Sequence, residues 1–422
     1  MSDSTRIVVT GLGAVTPFGV GVSKFWDGIA GGQSAVRQTE DEYLRQWAPA
    51  VAAAVDFDAS KYLDRKLVQN VDRFTQMAMV AAFEAIQDAG WADASAMHDS
   101  YAADRIGITI GCAFGGVQTM EEGSFRLATG KSNRVSARLV PKSIPNSAGA
   151  NIAMSLDING SVMTYSTACA SSANSIGEAG YWLRLGEEDM VLAGGAECLF
   201  SPSILAGLRA AGALATDGPE DIGKWSRPFD KKRSGMIMGE GAAFVVLETL
   251  ERAKARGAKI YAELIGYGSS NDAYHETSPD PEGRGAKLAM ERALKSARLA
   301  ASDIDYINAH ATATPAGDLA ESSALASLFG DHLTHIPVSS IKGAVGHMLG
   351  TAGAIESIAC IKAMETSTLP PTLNCDDKDE TAPPDVVPNV SRHKHIDTCL
   401  SSSFGFGGQN GVLVWRNGST LE

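Results

Sequence analysis

Short apolar runs of β type alternate along the chain with stretches of helical period. Arg6 to Thr10, Ile106 to Gly111, Val162 to Tyr165 and Val191 to Ala193 read as buried strands, and Met77 to Ala89 as a helix. Such alternation predicts buried sheets covered by helices. The outline then repeats. Met77 to Gly111 reads helix, polar loop, strand, and Leu288 to His310 reads the same; each half also opens on a strand, RIVVTGLG near the start and YAELIGYGSS from Tyr261. We therefore expect a duplicated α/β unit, residues 1–255 and 256–422, divided near Glu251 to Gly257, with a site at the junction of the halves. Connections are short, and the Asp- and Pro-rich stretch from Asn374 to Asn389 reads as a surface excursion.

Composition narrows the class. With 422 residues, 44% hydrophobic and 20% charged, the chain can bury a large core. Its 44 glycines, about one residue in ten, suit tight strand-to-helix turns better than a helical bundle. A formal net charge of −13 argues against general nucleic-acid binding, which needs a basic footprint. The segment DFDASKYLDRKLVQNVDR nevertheless clusters Lys61, Arg65, Lys66 and Arg73. It reads either as a solvated helix face with intrahelical ion pairs or as a docking patch for an acidic carrier. The start MSDSTRIVVTGLG carries no apolar signal core, and no uncharged apolar run is long enough to span a membrane, so a soluble cytoplasmic protein is expected. Cys112, Cys169, Cys198, Cys360, Cys375 and Cys399 are scattered without a CxxC pair, which argues against structural zinc or a disulfide framework.

The reactive side chains fall in three separated stretches. Cys169 lies in STACASS, between an apolar run and a helix-compatible stretch ending near Leu185. A sulfur at that turn would sit at the positive end of a helix, which favours the thiolate. A lone cysteine is otherwise a small buried hydrophobe; here the neighbours decide. Gly177 and Gly180 would let the helix pack closely in a core. His310, in NAHATATPAGD, follows the strand-like IDYINA and would emerge at the carboxyl edge of a sheet, with Thr312 and Thr314 alternating beyond it. Lys342 and His347 stand among small residues in SSIKGAVGHMLGTAG, which leaves room for a ligand or equally for tight packing. Phe404 and Phe406 stand among glycines in CLSSSFGFGGQNGVLVW, read either as a hairpin turn with buried rings or as a swinging aromatic beside backbone donors. GLGAVT half-matches a dinucleotide fingerprint, but Thr16 stands where the third glycine belongs and no P-loop occurs.

In that order, VVTGLGAVTPFG, STACASS, RPFDKKRSGMIMGEGA, AKIYAELIGYGSSNDAYHETSP, NAHATATPAGD and SSSFGFGGQNG resemble the β-ketoacyl-acyl-carrier-protein synthases, most closely the synthase II branch, with type II polyketide ketosynthases next. The resemblance covers practically the whole chain. It implies the thiolase fold, two α/β halves in five layers (αβαβα), usually as a homodimer or as a heterodimer with a related ketosynthase-like subunit. It implies that Cys169 takes an acyl chain from a phosphopantetheine thioester of acyl carrier protein, while His310 and His347 bind the malonyl unit and stabilise the enolate left by CO₂. Lys342 would support the histidines, with Glu321 as its carboxylate partner. Backbone N–H groups of Cys169 and Phe406 would form the oxyanion hole, with Phe404 and Phe406 at the gate. Thr312 and Thr314 would hold the phosphopantetheine arm, and Phe229 would line the site. No metal or redox cofactor is required.

This chain departs from the family wording at Ala311, where many members have glycine, and at SIKGAVGH, where STKSMTGH-type wording is commoner; neither removes a reactive group. Phe114, in IGCAFGG, stands at a position resembling the floor of the acyl pocket near a dimer interface, and a ring there should shorten or reshape the pocket. Two alternatives share the fold. A thiolase acting on coenzyme A thioesters usually pairs one histidine with a second cysteine, and a non-catalytic chain-length factor lacks the nucleophile that Cys169 supplies.

Overall fold

The computed structural model describes residues 5–130 and 134–421. The first four residues of the leading stretch lie outside them. Ten strands form one continuous path, which we number in chain order: β1 (Ile7–Thr16), β2 (Ile106–Gly111), β3 (Val162–Tyr165), β4 (Met190–Glu197), β5 (Gly241–Thr249), β6 (Ala262–Asn271), β7 (Tyr306–Asn308), β8 (Val338–Ser339), β9 (Thr398–Gly405) and β10 (Gln409–Asn417).

The path runs β8-β7-β9-β10-β6-β1-β5-β4-β2-β3. From β1 outward the pairings are antiparallel, antiparallel, parallel, parallel. From β6 outward they follow the same series through β10, β9, β7 and β8. The two half-sheets meet only where Val8 pairs with Glu263 and Val9 with Ala262. Strand β1 is buried along its whole length, as expected of a strand covered on both faces.

Five helices complete the layers: α1 (Arg73–Asp88), α2 (Ser171–Leu185), α3 (Arg284–Ala297), α4 (Pro315–Phe329) and α5 (Ala352–Thr366). Helix α1 covers the outer face of the first half-sheet and α3 that of the second, while α2 and α5 pack on each other between the halves. Local chemistry sets their ends. Asp72 caps α1 by accepting the Phe74 N–H, Thr314 caps α4 ahead of Pro315, and Gly186 closes α2 in the left-handed region. Gly177 and Gly180 of α2 lie against the Tyr267 ring and Leu264 of β6, where a Cβ at Gly177 would come within 2.3 Å of the ring.

The glycines of GLGAVT prove to be strand residues, and their purpose is packing. A Cβ on Gly11 or Gly13 would come within 2.2 Å and 2.0 Å of the α1 carbonyls of Ala85 and Ala81. Gly266 and Gly268 of β6 meet the α3 carbonyls of Ala293 and Ala289 at 2.4 Å and 2.2 Å in the same way. Both strands also shift register at this point, between Val9 and Gly11 and between Leu264 and Gly266.

The stretch 374–389 is more than a surface excursion. Asp230 accepts the N–H groups of Asp376 and Asp377, Arg233 pairs with Asp379, and Val386 and Val387 are buried, so the segment is strapped over the chain around Phe229.

Candidate active site

Cys169 lies on a single 3-10 turn, Ala168–Ala170, between β3 and the first residue of α2. The turn is strained: Ala168 has φ of 50°, a region that costs a residue bearing a Cβ roughly 1 kcal/mol or more. Close packing holds it there. A Cβ on Gly405 would stand 2.8 Å from the Thr167 carbonyl oxygen and 3.1 Å from the Cys169 nitrogen, and Gly111 and Gly353 abut the first turn of α2 just as closely.

His310 follows β7 at the carboxyl end of the strand. Glu321, on α4, fixes its backbone by accepting the N–H groups of His310 and Ala311 at 2.8 Å and 2.7 Å. His347 follows the short helix Lys342–Val345 through Gly346, whose φ of 67° suits glycine. Its backbone is pinned on both sides, donating to Ile237 O and accepting from Gly239 N.

The cysteine sulfur and one nitrogen of each imidazole lie within 4.8 Å of one another. The two rings stand edge to face with centroids 5.2 Å apart, and the Phe404 ring packs against His310 at 5.8 Å. Among the described residues this trio is the one Cys/His/Asp/Glu cluster compact enough to hold a metal ion, yet its donors equally suit a nucleophile facing two N–H groups. Neither ring nitrogen of His347 has a hydrogen-bond partner among the described residues.

All three groups are buried, and burial governs their protonation. It pushes the Cys169 thiol up to about 12, against the opposing pull of the Lys342 charge and the Phe406 N–H. Burial thus works against the thiolate that the helix end favours. Burial and then the Lys342 charge hold His310 well below the usual imidazole range, and the same two causes act on His347. Both rings are neutral N–H donors near pH 7.

Lys342 contacts His310 Nδ1 at 3.4 Å, but its ion pair is with Glu356 of α5 and not with Glu321. Both carboxyls of Glu321 and Glu356 are buried; burial pushes the first up to about 8 and the second up to about 7. Glu321 already spends both oxygens on backbone N–H groups, which leaves Glu356 to neutralise the ammonium. Glu356 was absent from the residues singled out above. Its signal was there: it is the lone carboxylate inside the apolar helical run AGAIESIAC.

A cavity of about 290 Å³ opens onto Cys169, His310 and His347, lined also by Thr312, Thr314 and Phe406. The two threonine hydroxyls are 2.9 Å apart. Lys342 lies behind this wall. Phe229 does not reach the cavity; it is buried with φ of 63°, its N–H given to Asp318, so it supports the wall from behind. Phe114 is also outside the cavity lining and is 48% exposed on the single chain. Of the basic cluster, Lys61, Arg65 and Lys66 are exposed. Arg73 is withdrawn from it: the guanidinium pairs with buried Glu240 and donates to Ala54 O, because it opens α1 directly above that carboxylate.

One nucleophilic thiol facing two neutral imidazole donors is machinery for acyl transfer joined to carbanion formation, and the repeated half-sheets that carry it place the chain in the thiolase-fold class of condensing enzymes. The Beta-ketoacyl synthase, N-terminal domain family matches residues 4–253 and its C-terminal domain counterpart residues 261–376, so the chain belongs to the beta-ketoacyl synthase family. It is 41% identical over 98% of both chains to the 3-oxoacyl-[acyl-carrier-protein] synthase 2 of Coxiella burnetii, and 39% identical over 99% of both to that of Staphylococcus aureus. Among solved structures, a type II polyketide ketosynthase in complex with its acyl-carrier protein superimposes with TM-score 0.90 at 32% identity, covering 98% of this chain and 99% of that one. A beta-ketoacyl synthase from Burkholderia phymatum does so with TM-score 0.88 at 34% identity, over the same shares.

Proposed function

We propose that this chain is a β-ketoacyl-acyl-carrier-protein synthase, joining an acyl chain held on Cys169 to a malonyl unit held on acyl carrier protein. The observation that carries the reading is the meeting of the Cys169 sulfur with both imidazoles within 4.8 Å at one end of an open cavity.

In the first half-reaction the Cys169 sulfur attacks the thioester carbonyl. The S–H proton is lost, the carbon–sulfur bond to phosphopantetheine breaks, and the departing thiolate is protonated. The N–H groups of Cys169 and Phe406 stabilise the oxyanion. In the second, the malonyl C–COO⁻ bond breaks, CO₂ leaves, and its electron pair forms an enolate whose oxygen accepts N–H bonds from His310 and His347. The enolate carbon then attacks the acyl carbonyl, and the Cys169 thiolate departs and takes up a proton from solvent, restoring the thiol. Neutral imidazoles are the required form, because a donor that is already cationic would bind the malonyl carboxylate too tightly to favour its loss. Burial, and after it like-charge repulsion from Lys342, keeps them neutral, and Glu356 balances Lys342.

Residues 1–255 supply the nucleophile and residues 256–422 the histidines and lysine. Thr312 and Thr314 hold the phosphopantetheine arm, Phe404 and Phe406 gate its entry, and Lys61, Arg65 and Lys66 meet the acidic carrier. Among the described residues strand β3 ends the sheet path with one edge unpaired, and Met163 on it, Met154 on the helix packed against it and Phe114 beside it are exposed. An apolar edge of this kind favours pairing with a second copy or a ketosynthase-like subunit, which would cover Phe114 and bring it to the acyl chain. Among the described residues no helix is long and apolar enough to cross a membrane, in keeping with a cytoplasmic enzyme supplied by a diffusible carrier in fatty-acid or type II polyketide synthesis.

Elongation of acyl carriers of graded length with malonyl carrier tests the reading, with product read by mass and ¹⁴CO₂ release from labelled malonyl carrier. One CO₂ per product is expected. Product without CO₂ would point to a thiolase, and a Cys169→Ala protein that still took up an acyl group would remove the nucleophile.

A further inference from the structure

Glu197 closes β4 with its side chain wholly buried. The groups facing its carboxyl are backbone N–H donors and a thiol: Ala113 N at 2.6 Å, Phe114 N at 3.4 Å and Cys112 Sγ at 3.7 Å. Gly350 packs so close to the Ala113 bond that a Cβ there would stand 2.5 Å from Glu197 Oε2 and 2.9 Å from Ala113 N. One carboxyl thus touches both the turn after β2 and the turn after His347.

Each of these segments leads into the apolar cluster that surrounds Cys169. Leu199 and Phe200 follow Glu197 in the chain, Val117 follows the turn that begins at Cys112, and Leu349 precedes Gly350. Gln118 adds a cross-tie by donating to Phe200 O at 2.9 Å.

We propose that Glu197 is a positioning residue for acyl-chain selectivity, whose carboxyl holds the turn after β2 to the end of β4, with Gly350 packed against the joint, and so sets the space open to a chain attached at Cys169. The proposal rests on the condensing activity argued above. A purely structural role would be served better by an apolar side chain, since burying a carboxyl that meets no cation costs stability; burial pushes this one up to about 7. What a carboxylate offers here is two acceptor oxygens for converging N–H donors. Glutamine offers one acceptor and would turn an NH₂ group against the other donor.

The test uses the full-length protein with butyryl, octanoyl and dodecanoyl carriers. Glu197→Gln is expected to change the ratio of kcat/KM between the longest and shortest chain by about tenfold, while iodoacetamide still alkylates Cys169. Phe114→Ala is expected to shift that ratio less in the Glu197→Gln background than in the wild type, because the turn is already released. If Glu197→Gln does not fold, Glu197→Asp, which draws the carboxyl back by one methylene, carries the same expectation. An unchanged ratio, an equal fall at every chain length, or full additivity with Phe114→Ala would overturn the proposal. Failure of the wild-type protein to acquire any of the three chains would instead remove the condensing reading beneath it.

Discussion

The buried ammonium of Lys342 is paired with Glu356, 14 residues further along the chain, and not with Glu321. The two glutamates should therefore fail differently. Glu356→Gln leaves the Lys342 charge unbalanced, which depresses both imidazoles further; Lys342→Ala releases them toward the ordinary histidine range. Activity needs the neutral rings and is lost as pH falls through their pKa. The acid limb of the pH–rate profile should thus move upward in Lys342→Ala, with a fall in rate of about 100-fold. Glu321→Gln breaks a backbone anchor and should lower kcat without moving that limb. A shifted limb in Glu321→Gln with none in Lys342→Ala would reverse the assignment.

The thiol makes a second prediction. Burial pushes Cys169 up to about 12, so the thiolate fraction should rise about tenfold per pH unit across the accessible range. Alkylation by iodoacetamide, followed by peptide mass, should show that slope from pH 7 to pH 9.5, as a range chosen roughly to stay below the shifted value. A plateau between pH 7 and pH 8, roughly where an activated cysteine levels off, would mean a helix-end thiolate after all. Lys342→Ala removes a charge that favours the anion, and alkylation at fixed pH should slow.

The nucleophile and imidazoles could be singled out from the chain because they sit in short segments of small residues, open to a ligand or to tight packing, and the fold brings them together. Cys169, His310 and His347 are of that kind. What escaped reading depends on tertiary contacts. Arg73 looked like its neighbours Lys61, Arg65 and Lys66 until folding set it above Glu240, 167 residues away. Glu321 alone was expected to partner Lys342; only the backbone N–H groups of His310 and Ala311, which have no sequence signature, show that it is already occupied. GLGAVT half-matched a dinucleotide fingerprint because glycine needed for a helix carbonyl and glycine needed for a ligand are the same letter.

The basic patch splits accordingly. Replacing exposed Lys61, Arg65 and Lys66 with glutamate should raise KM for carrier-bound substrate about tenfold, with little change in kcat or in the reaction with free phosphopantetheine thioesters. Added salt should narrow the gap from wild type. Arg73→Glu belongs elsewhere. It sets a carboxylate against buried Glu240 and should lower thermal stability by roughly 3 kcal/mol or more, with soluble yield falling before KM changes. Equal KM effects from all four positions would return Arg73 to the patch.

Glycine packing in the paired strands gives the last prediction. An added Cβ at Gly13 would lie 2.0 Å from the Ala81 carbonyl oxygen and 2.6 Å from Ala85 N, and one at Gly268 would lie 2.2 Å from Ala289 O and 2.5 Å from Ala293 N. All of these are backbone atoms, so the helix has to lift from the sheet. Gly13→Ala and Gly268→Ala should each destabilise by roughly 3 kcal/mol, and by similar amounts, because the same strand-on-helix contact is broken in each half. Gly207 supplies the control. It lies in the helix Pro202–Ala210 with nothing within 4 Å of an added Cβ, so Gly207→Ala should stabilise by about 0.5 to 1 kcal/mol through helix propensity. Thermal and denaturant unfolding of the three variants read the contrast directly. A tolerated Gly13→Ala would show that helix α1 does not sit on β1 as closely as the structure has it.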